Sequence, residues 1–145
     1  MLNMRFVASC VVFLTLFLSA FAQQATRRVS VDEAKDLVLA ALPAKAKQLP
    51  KFGLEGGVDP TYPHFYIFMA YWEGAPNGSM VIGHYAVDYS TADVWDAVMA
   101  CEELSTPALQ KMQMKIRSRI GLSKSDYHKI KGTCPLETET TPFSK

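Results

Sequence analysis

The residues whose types could do chemistry are three histidines, a group of aspartates around one turn, and two late cysteines. His64, His84 and His128 are nowhere spaced as H-x-x-x-H, the separation that puts two imidazoles on one helix face for a metal, so no metal site is assigned. His84 and Asp88 share one face of an extended segment, and Asp96 follows after a turn. An imidazole beside a carboxylate is the arrangement of general acid–base catalysis, so His84 with Asp88 or Asp96 defines an enzyme reading. Against it, Asp88 and Asp93 flank Tyr89-Ser90-Thr91-Ala92, where short acidic side chains accept hydrogen bonds from turn amides. No G-x-S-x-G elbow is present. Gly53-Leu54-Glu55-Gly56-Gly57 lacks the following Lys-Ser/Thr of a phosphate loop. No catalytic residue and no cofactor is assigned on these grounds.

The cysteines speak to compartment. Residues 1–22 hold one basic residue, Arg5, then an apolar run from Phe6 to Phe21, and close on the small-x-small pattern Ala20-Phe21-Ala22. That is the form of a secretory signal peptide, and the run is short of the roughly 20 residues a spanning helix needs. Val7-Ala8-Ser9-Cys10 resembles a lipidation box only superficially, since the apolar run follows Cys10 instead of preceding it. Removal of the signal leaves Cys101 and Cys134, which in an oxidising compartment are expected to form one disulfide. In the chain-entropy description such a bridge, closing about 32 residues, contributes roughly 3–4 kcal/mol. The expected location is the periplasm or the extracellular space.

After the signal, 14 basic and 14 acidic residues remain, so the formal charge is near zero. A polybasic binder of nucleic acid or membrane surface is not indicated. The remaining chain is long enough for one domain, expected over 23–135, with a Thr-, Glu- and Pro-rich tail at 136–145 expected to be disordered. Asn77-Gly78-Ser79 is a glycosylation sequon, relevant only to a eukaryotic source.

Elements to position these residues can be read from spacing. Ser30-Val31-Asp32-Glu33 is a capping box that opens a helix over Val31 to Leu42, with Val31, Ala34, Leu37, Val38, Ala41 and Leu42 on one face and Pro43 as its stop. The Pro- and Gly-rich stretch from Ala44 to Pro63 reads as a long irregular connection. Three strands follow as an antiparallel meander: His64 to Trp72, Met80 to Asp88, and Val94 to Val98. Both faces of the first strand are apolar, so it is either covered on both sides or shows aromatics to a partner. Thr106-Pro107 caps a helix with Leu109, Met112, Ile116 and Ile120 as its stripe and Gly121 as its stop; its remainder is basic and reads as a solvated face. Ser123 opens a short final helix. The order predicts an α+β domain, a three- or four-stranded antiparallel meander with the helices on one face.

The segment Gly83-His84-Tyr85-Ala86-Val87-Asp88-Tyr89-Ser90-Thr91-Ala92-Asp93-Val94-Trp95 resembles the strand-turn-strand of PepSY-like domains. Tyr85, Val87, Asp88, Thr91 and Val94 fit the pattern, and the helix from Val31 lies where such domains place theirs. Ala92 stands where the pattern has Gly, a position whose turn favours positive φ. The resemblance covers about half of the exported chain and leaves out both cysteines and the C-terminal helices. It implies an exported, non-catalytic module of a kind associated with restraint of proteases.

The favoured expectation is therefore a small exported binding protein, of inhibitor or immunity type, with an envelope or secreted protein as partner. Tyr66, Trp72, Tyr85 and Trp95, with His84, are the candidate contact residues, since Tyr and Trp concentrate interface energy. The enzyme built on His84 and a carrier of a small apolar ligand between sheet and helix are the alternatives.

Overall fold

The computed structural model describes residues 27–74, 80–97 and 101–134. The expected signal peptide, the sequon at Asn77, the end of the third strand at Val98 and the C-terminal tail lie outside them.

Helix α1, Val31–Ala41, starts where the capping box places it. Ser30 Oγ accepts from the Glu33 amide at 3.2 Å, and the Glu33 carboxylate accepts from the Ser30 amide at 2.9 Å. Leu42 caps its C-terminus and Pro43 follows. Ala34, Leu37, Val38 and Ala41 are its buried face, as the three-four spacing requires.

The sheet has five strands in sequence order, all antiparallel: β1 Gly53–Val58, β2 Phe65–Tyr71, β3 Val81–Asp88, β4 Val94–Asp96 and β5 Glu102–Glu103. The meander β2–β3–β4 and the α+β class are as the sequence predicted. The stretch from Ala44 to Pro63 is not: it holds the short helix α2, Ala44–Lys47, and then β1, an edge strand paired along its length with β2. Three glycines in six residues give β1 little strand propensity of its own. Its order comes from the β2 ladder, which a reading of local sequence does not see. At Gly56 the strand is locked against its neighbour, because φ is +131° and an added Cβ would collide with the Ile67 carbonyl.

The β3–β4 turn shows why Ala92 is an unusual residue for its place. Asp88 Oδ1 accepts from the Ser90 and Thr91 amides at 2.6 and 3.1 Å, and Ala92 takes φ +62°. Left-handed backbone at a non-glycine residue stores about 1–3 kcal/mol. Surrounding contacts hold it: Gln113 donates to the Ala92 carbonyl at 3.0 Å, and the Ala92 amide donates to Asp88 at 2.9 Å.

Helix α1 lies across β1 to β4 on one face of the sheet, and α3, Pro107–Arg119, packs on α1. The two helices run antiparallel. At one end Thr106 Oγ1 both caps α3 and donates to the Ala40 carbonyl; at the other Arg119 grips Glu33 through two nitrogens at 2.9 and 2.6 Å. Burial alone would raise the Glu33 carboxyl, but the Ser30 amide and Arg119 outweigh it and hold the group below its ordinary 4.5. Helix α4, Lys124–Ile130, opens on Ser123, whose hydroxyl accepts from the Asp126 amide. The chain then reaches Cys134, bridged to Cys101 as expected, with Cα atoms 5.6 Å apart.

A buried ionic cluster fastens these helices to the β3–β4 turn. Asp93 Oδ1 accepts from Arg117 at 2.6 Å and from the Tyr127 hydroxyl at 3.0 Å, and Arg117 Nε donates to the Thr91 carbonyl at 2.7 Å. The Arg117 guanidinium lies 4.0 Å from the centre of the Tyr127 ring. Burial pushes the Asp93 carboxyl above its ordinary 3.8, opposed by Thr91, Arg117 and Tyr127. None of this was evident from the basic face of α3, which the sequence presented as solvated.

Candidate functional site

Register assigns every strand residue to a face. Tyr66 pairs with Val87, Phe68 with Tyr85, and Val87 with Val94, so these share the face that α1 covers. On the other face two rows cross the sheet. One runs Glu55–Met69–His84, and the second runs Gly57–Ile67–Ala86–Trp95–Glu103 through all five strands.

This second face carries Phe65, Ile67, Met69, Tyr71, His84 and Trp95, half-buried and not beneath a described helix, while Ala86 and Asp88 on the same face are buried. Tyr71 lies across β1: its ring occupies the space where a side chain at Gly53 would stand, and its hydroxyl donates to Glu55 at 2.8 Å. At the far corner Lys131 meets Glu103 at 2.7 Å, and the Glu103 carboxylate raises the Lys131 ammonium above its ordinary 10.5. Beside β1 the face sinks into a shallow groove of about 360 Å³, with Ile67, Met69 and His84 as its floor and Glu55, Val58 and Asp59 along its wall.

The five candidate contact residues do not form one surface. Tyr85 is buried, with its ring over Gly83, and the Tyr66 hydroxyl donates to the Val29 carbonyl at 2.9 Å; both sit on the helix side. Trp95 and His84 are on the uncovered face. Trp72 follows β2 and is half-buried, its amide donating to Met80. Ile67, Met69 and Tyr71, not chosen as contacts from sequence, are the centre of the uncovered face. Their parity was legible, but which parity the helix leaves open was not.

His84 and Asp96 are on opposite faces, since Asp96 pairs with Tyr85. His84 and Asp88 share a face, yet Asp88 is engaged by the Ser90 and Thr91 amides, and His84 Nδ1 is buried with no hydrogen-bond partner among the described residues. Burial pushes the Asp88 carboxyl above its ordinary 3.8, with those two amides opposing. Among the described residues no group of three His, Cys, Asp or Glu side chains could hold a metal ion, and no helix is long and apolar enough to cross a membrane.

No family model and no curated protein matches the chain. Among solved structures, a chain from "Structure of a type VI secretion system effector-immunity complex from Pseudomonas protegens" is similar in fold, with a TM-score of 0.57 and 23% identity over 70% of this chain and 85% of that one. At that identity the likeness establishes a shared fold.

Proposed function

We propose that this is a small exported binding protein of the immunity type, which neutralises a partner protein by covering part of its surface with the uncovered face of the sheet. The observation that carries the reading is that face itself: Phe65, Ile67, Met69, Tyr71 and Trp95 gather there partly exposed, with no described helix over them. Partly exposed apolar and aromatic side chains gathered on one face are a candidate interaction surface. The fold shared with a chain of an effector–immunity complex supports the same class, as does the PepSY-like turn sequence with its association with inhibition. The Cys101–Cys134 bridge fits an oxidising compartment, periplasmic or extracellular.

The test is affinity capture from envelope and secreted extract with the disulfide-bonded protein, followed by an assay of whether the captured protein's activity or toxicity is suppressed at equal stoichiometry. Ile67→Ala/Met69→Ala, confirmed folded by thermal melting, is expected to lose both capture and suppression. Suppression that survives this double substitution would move the contact to another surface. Failure to retain any partner, together with a small molecule co-purifying in native mass spectrometry, would favour the carrier reading.

A further inference from the structure

We propose that the groove beside β1 receives an extended segment of the partner that carries Lys or Arg at positions i and i+4 with an apolar residue between them at i+2. This rests on the binding-protein reading above and specifies its surface and chemistry.

The charge of the groove and the spacing of its carboxylates point to such a segment. The groove lining holds the carboxylates of Glu55 and Asp59 and no Lys or Arg. Lys51, a short way back along the chain, is already paired with Glu73 at 2.6 Å. Both groove carboxylates are held in position. Glu55 Oε1 accepts from the Tyr71 hydroxyl, and Asp59 Oδ1 accepts from the Thr61 amide, each at 2.8 Å. Glu55 lies in β1 and Asp59 directly follows the strand's last residue, so at strand spacing their Cα atoms stand about 13 Å apart.

An extended segment laid along β1 repeats the same period, and its cations at i and i+4 reach both carboxylates. The residue at i+2 then lies level with Gly57, whose partner across the ladder is Ile67. The glycines at 56 and 57 leave no side chain in its way, and β1 is an edge strand that pairs only with β2 among the described strands. Carboxylates at such a rim steer and orient a cationic segment, while the apolar floor supplies contact area.

The experiment titrates the full chain, isotopically labelled and disulfide-bonded, with a blocked synthetic heptapeptide, Gly-Lys-Thr-Val-Thr-Lys-Gly, and with its counterpart bearing Glu in place of both lysines. Amide chemical shifts are followed to about 5 mM peptide, the range in which weak linear peptides register. The lysine peptide is expected to move the amides of Glu55, Asp59, Ile67, Met69 and His84. Its binding is expected to weaken about tenfold in Glu55→Gln/Asp59→Asn, and to weaken with added salt.

Equal binding of the glutamate peptide overturns the proposal, as does the absence of any shift. A second groove lies between α1 and α3, lined by Asp36, Met112 and Ile116 among others, and shifts confined to it overturn the proposal too. Any of these results, obtained alongside a captured partner lost in Ile67→Ala/Met69→Ala, refutes the groove chemistry and leaves the binding function standing. Groove binding of the lysine peptide with no captured partner supports the groove chemistry and refutes the immunity reading instead.

Discussion

The two faces of the sheet are built from similar side chains and meet different fates. Under α1, Phe68, Ala70, Val87 and Val94 are at most 2% exposed, and Tyr85 closes over Gly83. On the opposite face Phe65, Ile67, Met69 and Trp95 remain half-exposed, and Tyr71 closes over Gly53 in the same manner at the sheet's edge. Each face thus lays a tyrosine on a glycine, yet one becomes core and the other a surface. Composition does not separate them. What separates them is that α1 and its partner α3 form one layer, which covers one side only.

This difference is expected to show most strongly at Phe68. Phe68→Ala opens a cavity under α1 and is expected to cost about 3–5 kcal/mol by denaturant unfolding, enough to unfold a marginal domain. A cost below about 1 kcal/mol would mean that the helix layer is loose and the two faces are more alike than they look.

An intermediate effect is expected at the clasp between the helix layer and the β3–β4 turn. Arg117→Ala leaves the Asp93 carboxylate buried without its cation and is expected to cost about 2–4 kcal/mol near neutral pH. Burial has already raised the folded pKa of Asp93 above 3.8, and loss of Arg117 raises it further. A raised folded pKa favours the protonated acid in the native state. The stability linked to that proton is complete below the unfolded value and is lost as pH rises through the folded one. The gap between variant and parent is therefore expected to shrink as pH falls toward 3.8. A gap that stays constant with pH would mean that Arg117 acts through its stacking on Tyr127, not through charge.

The smallest effect is expected on the uncovered face. Ile67→Ala removes methyl groups that are only partly shielded from water and is expected to cost about 1–2 kcal/mol in thermal or denaturant melting, less than Phe68→Ala. A loss comparable to that at Phe68 would show that something covers this face in the isolated protein, and would sink the comparison.

Local signals were readable wherever the sequence states a local rule. The Ser30–Glu33 capping box, the Pro43 stop, the Thr106–Pro107 start and the two cysteines each specify an interaction between residues near in sequence or uniquely available to each other. The meander was readable because alternating apolar runs separated by turn residues have few other uses. The edge strand β1 was missed because Gly53, Gly56 and Gly57 hide its pattern and its stability is borrowed from β2. The choice of Tyr66 and Tyr85 as contact residues rested on residue type, and type says nothing about which side a helix will occupy.

The sequence by itself determined the helices α1, α3 and α4, the β2–β3–β4 meander, the order of these elements, the disulfide and the α+β class, because capping, periodicity and chain breaks act over a few residues. Tertiary structure decided which face of the sheet became core. It also decided that Arg117 belongs to a buried cluster with Asp93, and that Glu55 and Asp59 border one groove with Ile67 and Met69. Those outcomes depend on which surfaces meet when α1 packs across the strands, and that is settled by the buried area of the whole assembly, a quantity no single segment encodes.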